Sequence, residues 1–118
     1  IANAGFYTFA DPAIKYPFGI KNMNVSDSRL KWFLNLKGGV FLGGKDNNPN
    51  HSSLPSMRKA KKQGKHRLER GTKFFDHLVE LGVKKNMPFR WRYQVVPGIS
   101  HDNVGMSIAV ADFLLEDL

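Results

Sequence analysis

The sequence contains no cysteine, which excludes a disulfide framework, a thiolate nucleophile and any cysteine-ligated zinc site, while leaving the compartment unread. No apolar run approaches the roughly 20 residues that a membrane-spanning helix needs. The N-terminal residues lack the basic-then-apolar plan of a signal peptide, so localisation is not legible. Internal repeats and low-complexity segments are also missing. Acidic residues are in short supply: 10 Asp and Glu stand against 18 Lys and Arg, for a formal charge of +8. Such a balance favours an acidic partner when the charge forms one surface. Much of the excess lies between Arg58 and Lys73, so the global figure mainly reports one local segment.

What is present suits one compact domain over residues 1–118, since 42% of the residues are hydrophobic and 12% aromatic. Ile1-Ala2-Asn3-Ala4-Gly5 reads as the end of a buried strand rather than as a natural beginning, and the expectation is a fragment of a longer protein. Phe6, Tyr7 and Phe9 then lead into an irregular stretch punctuated by Asp11-Pro12 and Tyr16-Pro17. Ser26 or Asp27 can cap a short helix carrying Leu30, Phe33 and Leu34, which Gly38-Gly39 stops. Val40-Phe41-Leu42 is a strand candidate, followed by a turn-rich loop from Asp46 to His51. From about Pro55 to Leu81 the pattern is helical, with interruptions expected near Gly64 and Gly71 and a stop at Gly82. Phe89–Val96 reads as a strand ended by Pro97-Gly98, and Val104–Leu118 as a packed terminal helix capped by Asp102 or Asn103.

Strands alternating with helices predict an α/β fold with a short, mainly parallel sheet of about three strands flanked by helices. In such sheets ligands bind beyond the carboxyl ends of the strands. Asp46 and His101 both fall on that side, each just past an apolar run that ends in glycine. An Asp orienting a His is half of a hydrolytic triad: the carboxylate fixes the imidazole tautomer, and the imidazole takes a proton from a serine. Alone, an Asp after Gly-Gly is ordinarily a turn residue and a loop His ordinarily solvated; the pairing at two strand ends is what gives them weight.

Four segments taken in order strengthen that reading: Asn3-Ala4-Gly5-Phe6-Tyr7-Thr8; Leu42-Gly43-Gly44-Lys45-Asp46; Gln63-Gly64-Lys65-His66-Arg67-Leu68-Glu69-Arg70-Gly71 with Phe74-Phe75; and Val96-Pro97-Gly98-Ile99-Ser100-His101-Asp102. Together they resemble the C-terminal part of an α/β-hydrolase of the bacterial, esterase-like serine hydrolases. The resemblance implies that the strands ending near Ala4, Leu42 and Val96 are the sixth, seventh and eighth of that fold, that Asp46 is the catalytic acid and that His101 is the base. It also implies an upstream serine nucleophile on a Gly-x-Ser-x-Gly elbow, an ester-type acyl substrate and no cofactor. Neither the elbow nor an oxyanion-hole segment occurs in these 118 residues, so the chain alone is expected to be inactive and its natural partner is the missing N-terminal half.

Other candidates carry less. Ser100 beside His101 lacks the second glycine of an elbow and reads as a loop serine that positions the histidine. His51, His66 and His77 show no compact metal-ligand spacing and read as surface histidines, so no metal is expected. The Arg58–Arg67 run has no interleaved stacking aromatics, so a nucleic-acid-binding or partner-assembly module is the alternative and not the main reading. Arg67 and Arg70 read as anchors of the active-site side of their helix. Phe6, Tyr7 and Phe9 read either as acyl-pocket lining or as core. An unpaired edge at Ile1–Ala4 invites a homodimer or strand addition.

Overall fold

The computed structural model describes residues 1–116. Its centre is β1 (Gly39–Gly43), whose five residues are all buried. Val40, Phe41 and Leu42 suit a strand covered on both faces, and alternation sends Val40 and Leu42 to one face and Phe41 to the other. β1 pairs in parallel with β2 (Arg92–Val96), in the register Gly39 to Arg92 through Gly43 to Val96. On its other edge the N-terminal segment contributes a single parallel bridge, Ala2 to Phe41. The sheet therefore has two strands and a bridge, where about three strands were expected. Asn3 is the reason: it adopts a left-handed φ of 48°, which ends the extended backbone, and its Oδ1 accepts the Gly43 N–H at 2.9 Å.

Helices cover both faces. α1 (Asp27–Leu34) starts where expected, with the Ser26 hydroxyl accepting the Arg29 N–H at 3.1 Å. The helical stretch after Pro55 divides into α2 (Arg58–Lys61) and α3 (Arg67–Lys84). The break falls at Gly64, and His66 recaps the chain by accepting the Glu69 N–H on Nδ1 at 3.1 Å. No break occurs at Gly71, which is buried within α3: a Cβ there would lie 2.4 Å from the Leu42 side chain. Glycine lets α3 approach β1 closely without bending the helix. The expected stop at Gly82 is also displaced. α3 runs to Lys84, and the chain reverses at Asn86 (φ 51°), with the Met87 N–H on the Gly82 carbonyl and the Asn86 N–H on that of Val83, a Schellman-type end.

Tyr7, Leu34, Val40, Leu42, Phe74 and Leu78 form the core between β1, α1 and α3. The Tyr7 and Phe74 rings stack at 4.6 Å, which assigns Tyr7 to the core. Phe89–Trp91 do not join β2, because their partners lie in α1: the Arg90 N–H reaches the Leu34 carbonyl and the Trp91 indole that of Phe33. On the opposite face α4 (Asn103–Leu115) begins with Asp102 accepting the Val104 N–H and packs Phe113 on Phe41 at 5.1 Å. The expected continuation to Leu118 passes outside the described residues. α4 is apolar on all sides yet buries only Met106; Val104, Ile108, Leu114 and Leu115 are exposed. None of the described helices is long and apolar enough to cross a membrane.

His77 makes acid stability testable. Its half-buried ring accepts the Ala10 N–H on Nε2 at 3.1 Å, a bond that requires the neutral form. Burial holds its pKa below the ordinary 6.5, outweighing the opposing charges of Asp11 and Glu80. The unfolded chain thus takes up the proton first, so this contribution is complete above the unfolded value and declines as pH falls below about 6.5. The urea midpoint is expected to drop between pH 8 and pH 5.5, and by less in His77→Gln; an equal drop in both would remove His77 as the cause.

Candidate active site

Hydrogen bonds continue past the paired strands and draw two loops together. The Gly44 N–H donates to the Val96 carbonyl and the Lys45 N–H to that of Ile99, both at 2.8 Å. Gly43 makes this crossing possible, because a Cβ on it would stand 2.4 Å from the Ile99 carbonyl oxygen. The chain then turns, with the Asp46 N–H on the Gly43 carbonyl, and the Asp46 carbonyl accepts the Leu68 N–H at the start of α3. Asp46 is thereby held by its backbone at both ends, and it is only 4% exposed.

His101 sits across the crossing, between the end of β2 and the cap of α4. Its Nδ1 lies 2.9 Å from Asp46 Oδ2, while about a third of its side chain stays open to solvent. A carboxylate can only accept, so Nδ1 carries the proton in this bond. The lone pair of a neutral ring then resides on Nε2, which has no hydrogen-bond partner among the described residues. Chemically, the pair is a buried acid holding an accessible imidazole in one tautomer.

His51 stands beside them, though its sequence context suggested a surface histidine. Its ring meets that of His101 edge-on at 5.2 Å. Its Nδ1 engages the Ser53 hydroxyl at 3.0 Å and the Ser53 N–H at 3.2 Å. Arg67, buried at the start of α3, holds Ser53 in turn through Nη2 on its carbonyl and hydroxyl. Arg67 Nε and Nη1 are buried without a hydrogen-bond partner among the described residues. The only sequence signal for this arrangement was the serine two residues after His51. Tyr7 also feels the site: burial pushes its hydroxyl up to about 12, the Ala4 backbone opposes this in part, and the charge of Asp46 adds a smaller upward effect, so it is neutral at pH 7.

The other candidates lie elsewhere. Ser100 makes no side-chain hydrogen bond to His101, His66 caps α3 and His77 packs on Phe9. Among the described residues no three His, Cys, Asp or Glu side chains converge as a metal site. Arg70 is a clamp rather than a site residue, with Nε on the Gly64 carbonyl and Nη1 on those of Gly5 and Pro55.

Solved structures share this arrangement of elements, among them two hydrolases. Poly(aspartic acid) hydrolase-1 from Sphingomonas sp. KT-1 superposes with a TM-score of 0.87 at 38% identity, over 92% of this chain and 41% of that one. Poly(3-hydroxybutyrate) depolymerase from Bordetella parapertussis superposes with a TM-score of 0.88 at 29% identity, over 99% of this chain and 40% of that one. The chain has a partial α/β-hydrolase fold. It spans about two fifths of the length of the hydrolases it matches. No protein-family model and no curated protein matches it. Within the hydrolase fold, Asp46 and His101 occupy the carboxyl-end side of adjacent parallel strands, where open α/β sheets bind ligands.

Proposed function

We propose that this chain supplies the acid and the base of a serine hydrolase, as the single C-terminal domain of a larger α/β-hydrolase that carries the serine and the oxyanion-hole donors. A serine Oγ attacks the acyl carbonyl as His101 Nε2 takes its proton. Asp46 stabilises the imidazolium, and His101 then returns the proton to the departing alkoxide. Water repeats the sequence on the acyl-enzyme. The substrate is an ester-type acyl compound, in keeping with the ester linkages of poly(3-hydroxybutyrate), the polymer named for one of the two neighbours.

The observation that carries this reading is the 2.9 Å contact between His101 Nδ1 and a carboxylate that is only 4% exposed. The share of the matched hydrolases that the chain spans and the uncovered apolar surface of α4 support the larger assembly. A serine-directed fluorophosphonate tests it. The full hydrolase is expected to bind one equivalent covalently, through a new P–O bond at the serine with loss of fluoride, and His101→Ala is expected to slow labelling about 1,000-fold or more. Unchanged labelling in that variant would overturn the reading. So would ester turnover by residues 1–118 alone that Ser100→Ala abolishes.

A further inference from the structure

His101 belongs to the loop between β2 and α4, and the one hydrogen bond of its side chain among the described residues is the 2.9 Å contact of Nδ1 with Asp46. A ring held at one atom still swings about it, since the terminal torsion of histidine is broad. The ring of His51 stands against it, with centroids 5.2 Å apart and planes at 71°. His51 is itself held through its backbone, its N–H on the Asn48 carbonyl at 3.3 Å and its carbonyl accepting the Leu54 N–H at 3.0 Å.

The side chain of His51 is oriented as well. Its Nδ1 receives the Ser53 N–H at 3.2 Å; a backbone N–H can only donate, so Nδ1 carries no proton in this bond. The Ser53 hydroxyl, 3.0 Å from the same nitrogen, is then a donor too. Its oxygen accepts Arg67 Nη2 at 3.1 Å, and the Ser53 carbonyl accepts the same group at 2.9 Å. Donors thus run in one direction, from Arg67 through Ser53 to His51, and the neutral His51 ring keeps its proton on Nε2. His101 is the opposite tautomer, with its proton on Nδ1. The residue after Arg67, Leu68, donates to the Asp46 carbonyl at 3.0 Å, so the first turn of α3 holds both Asp46 and the loop that carries His51.

We propose that His51 is a positioning residue for His101, tied to α3 through Ser53 and Arg67. Its ring closes one side of the imidazole and keeps His101 Nδ1 on Asp46, which leaves Nε2 to the serine. The role of Nε2 rests on the function proposed above; the ring contact does not. The direction of the donors matters for this task. With Nδ1 occupied and Nε2 protonated, His51 presents no free lone pair that competes with Asp46 for the His101 proton. The other tautomer would place an acceptor beside a ring that must keep its proton on the carboxylate.

Kinetics of the full hydrolase on a p-nitrophenyl ester test the positioning. His51→Ala is expected to lower kcat roughly tenfold or more, with KM within about twofold of wild type. His51→Phe restores a ring at the same place and is expected to return kcat to within about threefold of wild type. Ser53→Ala, which removes the hydroxyl donor from His51, is expected to fall between the two. A smaller loss in His51→Ala would overturn the proposal, as would a loss in His51→Phe as large as that in His51→Ala. A rise in KM at unchanged kcat would make His51 a substrate contact and overturn it as well. Magnetic resonance of the 118-residue chain decides the contact without any serine. Nitrogen-15 spectra are expected to show the proton on Nε2 of His51 and on Nδ1 of His101. The His101 Nδ1 proton is expected as a downfield resonance that His51→Ala broadens and His51→Phe retains. The same tautomer on both rings, or an unbroadened resonance in His51→Ala, would refute the positioning. Absence of fluorophosphonate labelling in the full hydrolase removes the hydrolase reading alone, and these spectra then decide the role of His51 by themselves.

Discussion

His101→Ala in the full hydrolase is expected to lower kcat on a p-nitrophenyl ester by about a million-fold, and Asp46→Asn by about 10,000-fold, with KM moving little. The two losses differ because the proposed roles place the residues at different removes from the substrate. In the proposed mechanism nothing but His101 accepts the serine proton. Without the Asp46 charge the imidazole remains, but an amide at that position also offers N–H donors to Nδ1 and favours the wrong tautomer. The fold should survive both changes. Asp46 is anchored through its backbone, with its N–H on Gly43 and its carbonyl on Leu68, and the His101 residue is exposed. Circular dichroism and the urea midpoint check that the loss is chemical. A loss of less than tenfold in either variant would remove that residue from its assigned role.

The largest expected loss of stability is at Arg70. Its side chain is among the largest that are fully buried, at 1% exposure, and its Nε and Nη1 donate to three carbonyls at 2.7 to 3.0 Å. Those carbonyls belong to Gly5, Pro55 and Gly64, so one guanidinium ties the N-terminal segment and two points of the α2 region to α3. Burial, with Arg67 next, lowers the Arg70 pKa, yet arginine keeps its charge at all ordinary pH values. Arg70→Met keeps much of the volume and removes every donor. Buried acceptors left unpaired cost about 1–3 kcal/mol each, so a total near 3 kcal/mol or more is expected. In a domain of this size that lowers Tm by about 10 °C or more. Arg70→Lys should recover little, because one ammonium cannot reproduce the spread of the guanidinium fork. A Tm within about 2 °C of wild type for Arg70→Met would refute the clamp.

Much of the fold was legible because its signals are local. The Ser26 and Asp102 caps, the Val40–Leu42 strand and the apolar periodicity of α3 each depend on residues within a few positions of one another. Errors arose where a distant partner decided the outcome. Gly71 reads as a break from its neighbours alone, but in the fold it is the point of closest approach to Leu42. Gly82 reads as a stop, yet Asn86 takes the left-handed position that ends the helix. The N-terminal segment has the composition of a strand, and the turn at Asn3 limits it to one bridge.

By itself the sequence determined that the chain is α/β and that Asp46 and His101 each follow a glycine-ended apolar run, because strand and turn preferences act over a few residues. It also excluded cysteine chemistry outright. Only the tertiary structure decided that the two side chains, 55 residues apart, meet at 2.9 Å, that His51 stands against His101 and that Arg70 gathers three carbonyls. The physical reason is common to all three. Such contacts are set by β1 and β2 pairing in register and by α3 and α4 packing on β1, and no local preference encodes the distance between residues that only the folded chain brings together.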